Sequence, residues 1–204
     1  MDLLDYERDL YKDNIKLIAG VDEVGRGPLC GPVVAAACIL KENYHLEGLN
    51  DSKKLSEKKR DKLFDILINE CVSYGIGIVD PKRIDEINIL EASKEAMKIA
   101  ISNLSVKPEH VLIDAVKLDI DIPSTPIIKG DAKSASIAAA SIIAKVTRDR
   151  MMYELDEKYP EYGFGSHKGY PTKKHIEAVK EHGVLDFYRF TFSPISEIIK
   201  EENK

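Results

Sequence analysis

The chain has 204 residues, 44% hydrophobic and 32% charged, with a formal net charge of −5. That suits one domain with a real core, and the negative total argues against binding nucleic acid by bulk charge alone while leaving room for a local basic groove. No apolar run approaches the roughly 18–20 residues of a membrane span, the start MDLLDYERDLYKDN lacks the basic flank and apolar stretch of a signal peptide, and Cys30, Cys38 and Cys71, an odd set without CxxC spacing, read as reduced core thiols of a cytoplasmic protein.

Residues 2–14 read as a short polar helix or tail. Lys16 to Glu23 and Pro32 to Leu40 read as strands, and VVAAACIL in the second is a small apolar run expected of a strand buried on both faces. Ser56 is placed to cap a helix carrying Leu63, Phe64, Ile66 and Leu67 on one face. Cys71 to Val79 alternates and stops at Asp80-Pro81, a third strand. Ala96, Met97, Ala100 and Leu104 have helical spacing. Val111–Asp114 and Pro126–Lys129 are short fourth and fifth strands. SASIAAASIIAKV, from Ser134 to Val146, is apolar nearly all round and predicts a buried helix that continues to about Lys158. Tyr159 to Pro171, rich in Gly, Tyr and Pro, reads as a loop. Thr172 and Ser193-Pro194 open two last helices. The predicted class is α/β, about five strands in a mixed sheet flanked by helices, with a helical C-terminal part.

The acids carry the first chemical signal. Asp22 and Glu23 end the first strand, Asp114 ends the fourth, and Asp131 precedes the buried helix. Ligands bind open sheets just beyond strand ends, so separate segments would bring carboxylates to one edge. Clustered carboxylates repel each other, and a hard divalent cation such as magnesium resolves the repulsion. Two such ions would stabilise the attacking and leaving oxygens of a phosphodiester displacement. The plainer alternative is that these are ordinary turn and cap residues. Adjacent strand residues point to opposite faces, so Asp22 and Glu23 do not both aim at one ion from a regular strand. Either the strand bends or Glu23 serves through its carbonyl or at one remove.

Gly25-Arg26-Gly27 lacks the spacing of a dinucleotide fingerprint, since Gly31 comes one place late and prolines and a strand follow. It reads as a turn between strands, with glycines allowing close backbone approach and Arg26 adding a cation. Together with DSKKLSEKKR (Asp51–Arg60), LIDA (Leu112–Ala115), KGDAKSASIAAASIIAKVTRDR (Lys129–Arg150) and YGFGSHKGYPTKKH (Tyr162–His175), the stretch GVDEVGRGPLCGPV resembles bacterial ribonuclease HII. The blocks run in family order along nearly the whole chain after the first fifteen or so residues.

The resemblance implies a ribonuclease H-like fold and a metal-dependent endonuclease that cuts the RNA strand of RNA–DNA hybrids and incises 5′ of ribonucleotides embedded in duplex DNA. It implies two divalent cations, Mg²⁺ or Mn²⁺, and carries the family's acidic positions onto Asp22, Glu23, Asp114 and Asp131. It assigns ribose reading to Gly25, Arg26 and Gly27, and junction sensing to Tyr170. Lys53, Lys54 and Lys168, with Lys145 or Arg148 as further candidates, would hold phosphates. His167 and His175 read as surface or packing residues rather than general bases. Where the family often has His-Arg before Ser-Phe, this chain has Tyr188-Arg189 before Thr191-Phe192. Residues 1–15 would be a helix or tail, 16–158 the catalytic domain, and 159–204 a substrate-contacting loop and helices on the same domain. Nothing demands an oligomer or a membrane. The segment after Ser193 either docks on the body or meets a replication partner. The rival readings are a silent hybrid-binding protein and another nuclease of the same superfamily, such as a junction resolvase.

Overall fold

A single sheet organises the chain. Its strands are β1 (Ile18–Val24), β2 (Val33–Ile39), β3 (Ser73–Val79), β4 (His110–Asp114) and β5 (Ser124–Ile127), in the order β3-β2-β1-β4-β5. The computed structural model describes residues 3–50, 52 and 55–202. The strands β1, β2 and β3 are antiparallel neighbours, whereas β4 runs parallel to β1 and to β5. The mixed sheet is therefore as the sequence predicts. The fifth strand begins two residues early, because Lys129 already leaves the extended region (φ 57°) and turns the chain into the 3₁₀ turn Gly130–Ala132.

Helices cover both faces. α4 (Ile89–Ser102) packs Ala92, Ala96, Met97 and Ala100 on the face carrying Ala19, Val21, Ala35, Ala37, Val111 and Ile113. α5 (Ala135–Lys158) and α2 (Glu57–Glu70) cover the other face, where Ala36 and Cys38 meet Ala139, Ile142 and Ile143. Being covered on both sides explains why all seven residues of β2 are buried and small or branched. α5 lies unusually close to β1: a Cβ on Gly20 would sit 2.0 Å from the Ser136 carbonyl carbon. Only glycine admits that approach.

α1 (Asp5–Lys12) is more than a polar tail. Its Glu7 is 1% exposed and accepts from the Ser134 hydroxyl at 2.6 Å and the Ser136 amide at 2.9 Å. A carboxylate at the first turn of α5 satisfies an orphan N–H and complements the helix dipole. α3 (Pro81–Ile87) was not foreseen: Asp80 stops β3 and also caps this helix, accepting from Arg83 N at 2.9 Å with Pro81 in the first turn. The segment expected to be loop contains the 3₁₀ turn Pro160–Tyr162 and the short α6 (Phe164–His167). α7 (Lys173–His182) starts at its predicted Thr172 cap, and α8 (Ile195–Glu202) buries Ile195 and Ile198 on the body beside Met152, Tyr162 and Phe164. Among the described residues no helix is long and apolar enough to cross a membrane.

Candidate active site

The parallel pairing of β1 with β4 builds the acidic edge. The register pairs Gly20 with Leu112 and Val21 with Ile113, so the next step sets Asp22 beside Asp114. Gly20 meets α5 and Leu112 packs with Ile137 of α5, so both aspartates, two residues on, share the α5 face. Asp114 Oδ1 accepts from the Gly130 amide at 2.6 Å, which ties the start of the 3₁₀ turn to the strand end. Asp131, 6% exposed, follows directly in that turn. The structure thus sets Asp22 beside Asp114 on neighbouring strands and ties the turn that carries Asp131 to the end of β4.

Asp22 is 6% exposed, accepts from the Glu23 amide at 2.8 Å and hydrogen-bonds Ser141, whose hydroxyl lies 2.9 Å from that of Ser52. Burial first, then the charges of Glu23 and Asp114, push its carboxyl well above the usual range, against the lowering effect of the two hydrogen bonds. β1 stays in register with β2 through Val24, so the strand does not bend at the acidic pair. Glu23, the next residue along, pairs with Arg26 at 3.5 Å and feels the charge of Asp114. Burial raises its carboxyl, Arg26 offsets this, and Asp114 adds to it. Its Oε2 is buried without a hydrogen-bond partner. The unpartnered Glu23 Oε2 and the raised Asp22 carboxyl fit a hard divalent cation, which takes carboxylates with water and phosphate. Among the described residues no three such side chains already share a coordination shell.

The Gly25–Gly27 turn follows β1 directly. Gly25 has φ 94°, open to glycine at little cost, and a Cβ there would lie 2.3 Å from Arg148 Nε. Tyr170 is 42% exposed, and its ring flanks Gly27, with Cε1 3.4 Å from where a Cβ would stand. The predicted turn and the predicted tyrosine therefore meet. Leu29 N donates to Gly169 O at 2.8 Å, and Gly31 N to Phe187 O at 2.9 Å, so residues 28–31 run between the Tyr170 loop and the C-terminal segment.

Arg148 is a correction. It is 0% exposed and donates to the carbonyls of Pro32, Lys168 and Cys30, so it holds backbone rather than phosphate. Lys145 pairs with Asp149 at 2.6 Å. Lys168 is half-buried, with its ammonium 3.5 Å from the Tyr153 ring centroid, donating to the Gly165 carbonyl. Lys53 and Lys54 lie outside the described residues.

Of the surface and packing places predicted for His167 and His175, the structure shows packing. Their rings stack at 4.0 Å. His167 Nδ1 accepts from Gly169 N–H, so Nε2–H donates to Tyr162 O; His175 Nδ1–H donates to Tyr170 O at 2.8 Å, and its Nε2 accepts from Tyr188 OH at 2.8 Å. Burial holds His175 down to about 4.

Sequence reasoning noted Arg189 beside Tyr188 but gave it no role. It is 0% exposed and donates to the carbonyls of Gly25, Arg26 and Gly31. Its signal was a lone cation among Tyr188, Phe190 and Phe192, and Arg148 gave a similar one inside an apolar helix.

Residues 19–194 match the family profile described as Ribonuclease HII. The chain is 60% identical to Ribonuclease HII of Bacillus cereus (strain B4264) over 196 residues, 96% of this chain and 76% of that protein. Its fold superposes on the ribonuclease H2 of Pyrococcus horikoshii OT3 with TM-score 0.77, 35% identity and coverage of 92% of this chain and 99% of that one. RNase HII of Archaeoglobus fulgidus, solved as a complex with PCNA, gives TM-score 0.72 at 29% identity over 89% of this chain and 96% of that one.

Proposed function

The chain belongs to the ribonuclease HII family and is an endoribonuclease acting on RNA–DNA hybrids; from that premise we propose that it also incises duplex DNA 5′ of embedded ribonucleotides, by a metal-dependent hydrolysis that leaves 5′-phosphate and 3′-hydroxyl ends. The observation that carries this reading is the adjacency of two sites on one connection. The Asp22–Asp114 pair ends neighbouring strands, and the Gly25–Gly27 turn beside Tyr170 follows within a few residues.

On this reading Asp22, Glu23, Asp114 and Asp131 would hold two divalent cations, Mg²⁺ or Mn²⁺, which when bound supply the positive charge that activates water and stabilises the leaving 3′-oxygen. The turn and Tyr170 test the sugar: the 2′-hydroxyl separates RNA from DNA, and backbone groups read it in less space than a long side chain needs. Exposed Tyr170 offers a ring for the adjacent sugar. Arg26, exposed and among the described residues paired with largely buried Glu23, has outer donors to turn to a phosphate. Lys53, Lys54 and Lys168 are proposed as phosphate contacts that set affinity rather than sequence preference, Lys168 by leaving the Tyr153 ring. His175 and His167 keep their protons engaged and take no part in proton transfer. The docking of α8 supports a body-packed C-terminal segment. Residues 16–158 are proposed as the catalytic domain, with 1–15 and 159–204 packed on it. The DNA substrate and the free thiols Cys30, Cys38 and Cys71 support a cytoplasmic setting.

The test is a nicking assay on duplex DNA containing one ribonucleotide, with and without Mg²⁺ or Mn²⁺, beside an all-DNA duplex. A cut 5′ of the ribonucleotide, dependent on added metal and missing from the control, is expected. Binding without cutting would instead mark a silent hybrid-binding protein, and cutting of the all-DNA control would point to a different nuclease.

A further inference from the structure

Two guanidinium groups lie beneath the turn, fully buried, and among the described residues neither forms an ion pair with a carboxylate. Burying an uncompensated cation costs several kcal/mol, and a protein needing only stability would fill the space with apolar side chains. What these groups do instead is geometric. Arg189 donates from NH2 to Gly25 O at 2.5 Å, from NH1 to Arg26 O at 2.9 Å, and from Nε and NH2 to Gly31 O at 3.2 and 3.0 Å. In a planar trans peptide the N–H points opposite to the C=O. With the Gly25 and Arg26 carbonyls turned inward to Arg189, the amides of Arg26 and Gly27 are turned outward. Both residues are exposed, and Tyr170 flanks the second.

Arg148 joins the other two parts. Its Nε and NH2 donate to Pro32 O at 3.0 Å and Cys30 O at 3.1 Å, in the segment after the turn. Its NH1 donates to Lys168 O at 2.9 Å, two residues before Tyr170. One rigid fork thus spans both sides of the cleft. Lysine is no substitute: its donors radiate from one point and do not reach three carbonyls in a plane.

We propose that Arg189 and Arg148 are positioning residues for ribose recognition, Arg189 aiming the Arg26 and Gly27 amides at the sugar and Arg148 fixing the spacing between that turn and Tyr170. The proposal rests on the reading of the turn and Tyr170 as the ribose sensor. A continuous hybrid offers a 2′-hydroxyl at every register, so a misaligned turn still finds one. A lone ribonucleotide offers a single 2′-hydroxyl, and there alignment decides the rate.

The experiment compares Arg189→Lys and Arg148→Lys with wild type in the full chain, on a duplex with one ribonucleotide and on a continuous RNA–DNA hybrid. The expected result is that the ratio of kcat/KM for the single-ribonucleotide duplex to that for the hybrid falls about tenfold in each variant, mainly through kcat. Equal losses on both substrates would overturn the proposal, since they describe general damage. Loss of a cooperative melting transition in both variants would overturn it too, because the arginines would then serve the fold and not specificity. A wild-type protein that leaves the single-ribonucleotide duplex intact would instead bring down the sensor reading itself.

Discussion

Asp22 and Glu23 lie at the strand end just before the Gly25–Gly27 turn, and Arg148 and Arg189 lie beneath it, yet the two pairs are treated differently. Burial and neighbouring acids raise both carboxyls, with Arg26 partly offsetting the rise at Glu23, and Glu23 Oε2 has no hydrogen-bond partner. The arginines are buried at least as deeply, and every guanidinium nitrogen of each meets a carbonyl. A saturated group has nothing further to gain and holds its place. An under-satisfied one retains free energy for whatever binds it.

The contrast breaks most visibly at Asp114. Asp114→Asn keeps an oxygen for the Gly130 amide and removes one charge from the cluster. Cleavage is expected to fall about a thousandfold or more, and hybrid affinity, read by fluorescence anisotropy, to stay within about threefold. Without added metal the variant is expected to melt about 2–4 °C above wild type, because Asp22 and Glu23 lose a like-charged neighbour. A normal rate in this variant would remove the acidic edge from the mechanism.

Gly20→Ala tests the close seating of α5 on the strand that carries Asp22. Its methyl would stand 2.0 Å from Ser136 C and 2.2 Å from Ile137 N, backbone atoms with no easy retreat. A loss of about 3 kcal/mol, or roughly 6–12 °C in Tm, is expected by thermal melting. Tyr170→Ala leaves the acids untouched and removes the ring beside Gly27. The rate on a duplex with one ribonucleotide is expected to drop roughly tenfold to a hundredfold, with a smaller loss on continuous hybrid, by gel-resolved single-turnover kinetics. An unchanged rate on the first substrate would end its sensing role.

The smallest effect is a pH slope in the saturated region. His175 donates to Tyr170 O and accepts from Tyr188 OH, so it is held neutral, down to about 4 against an ordinary 6.5. As pH falls below about 6.5 the unfolded chain takes a proton that the folded one refuses. This contribution to stability is therefore whole above about 6.5 and is lost progressively toward 4. Urea melts between pH 7 and 5 are expected to show a shallower slope for His175→Gln than for wild type. Parallel slopes would mean that His175 is not held neutral.

Much of the sheet was legible because β2 is unbroken small apolar sequence and β3 alternates, patterns that burial on two faces and on one face impose. Strand order was not. That Asp114 stands beside Asp22 depends on β4 entering parallel to β1 some ninety residues later, and no local periodicity records it. The acids were legible as charges interrupting apolar runs. Arg148 reads in sequence as a candidate phosphate contact, since a charged residue on a helix usually faces water, and here three carbonyls take that water's place. Glu7 was hidden for the same reason: only the packed N-terminus of α5 supplies its partners. Asp80-Pro81 had two meanings, strand stop and helix start, and local reading took the first.

The central claim is that divalent cations complete this buried, charge-crowded carboxylate edge. Its most direct test is the melting temperature of wild type and Asp114→Asn with and without millimolar Mn²⁺, since a ligand that binds only the native state raises Tm. Mn²⁺ is predicted to raise wild type clearly and to leave Asp114→Asn almost unmoved. Equal shifts in both proteins, or none in either, would contradict the account.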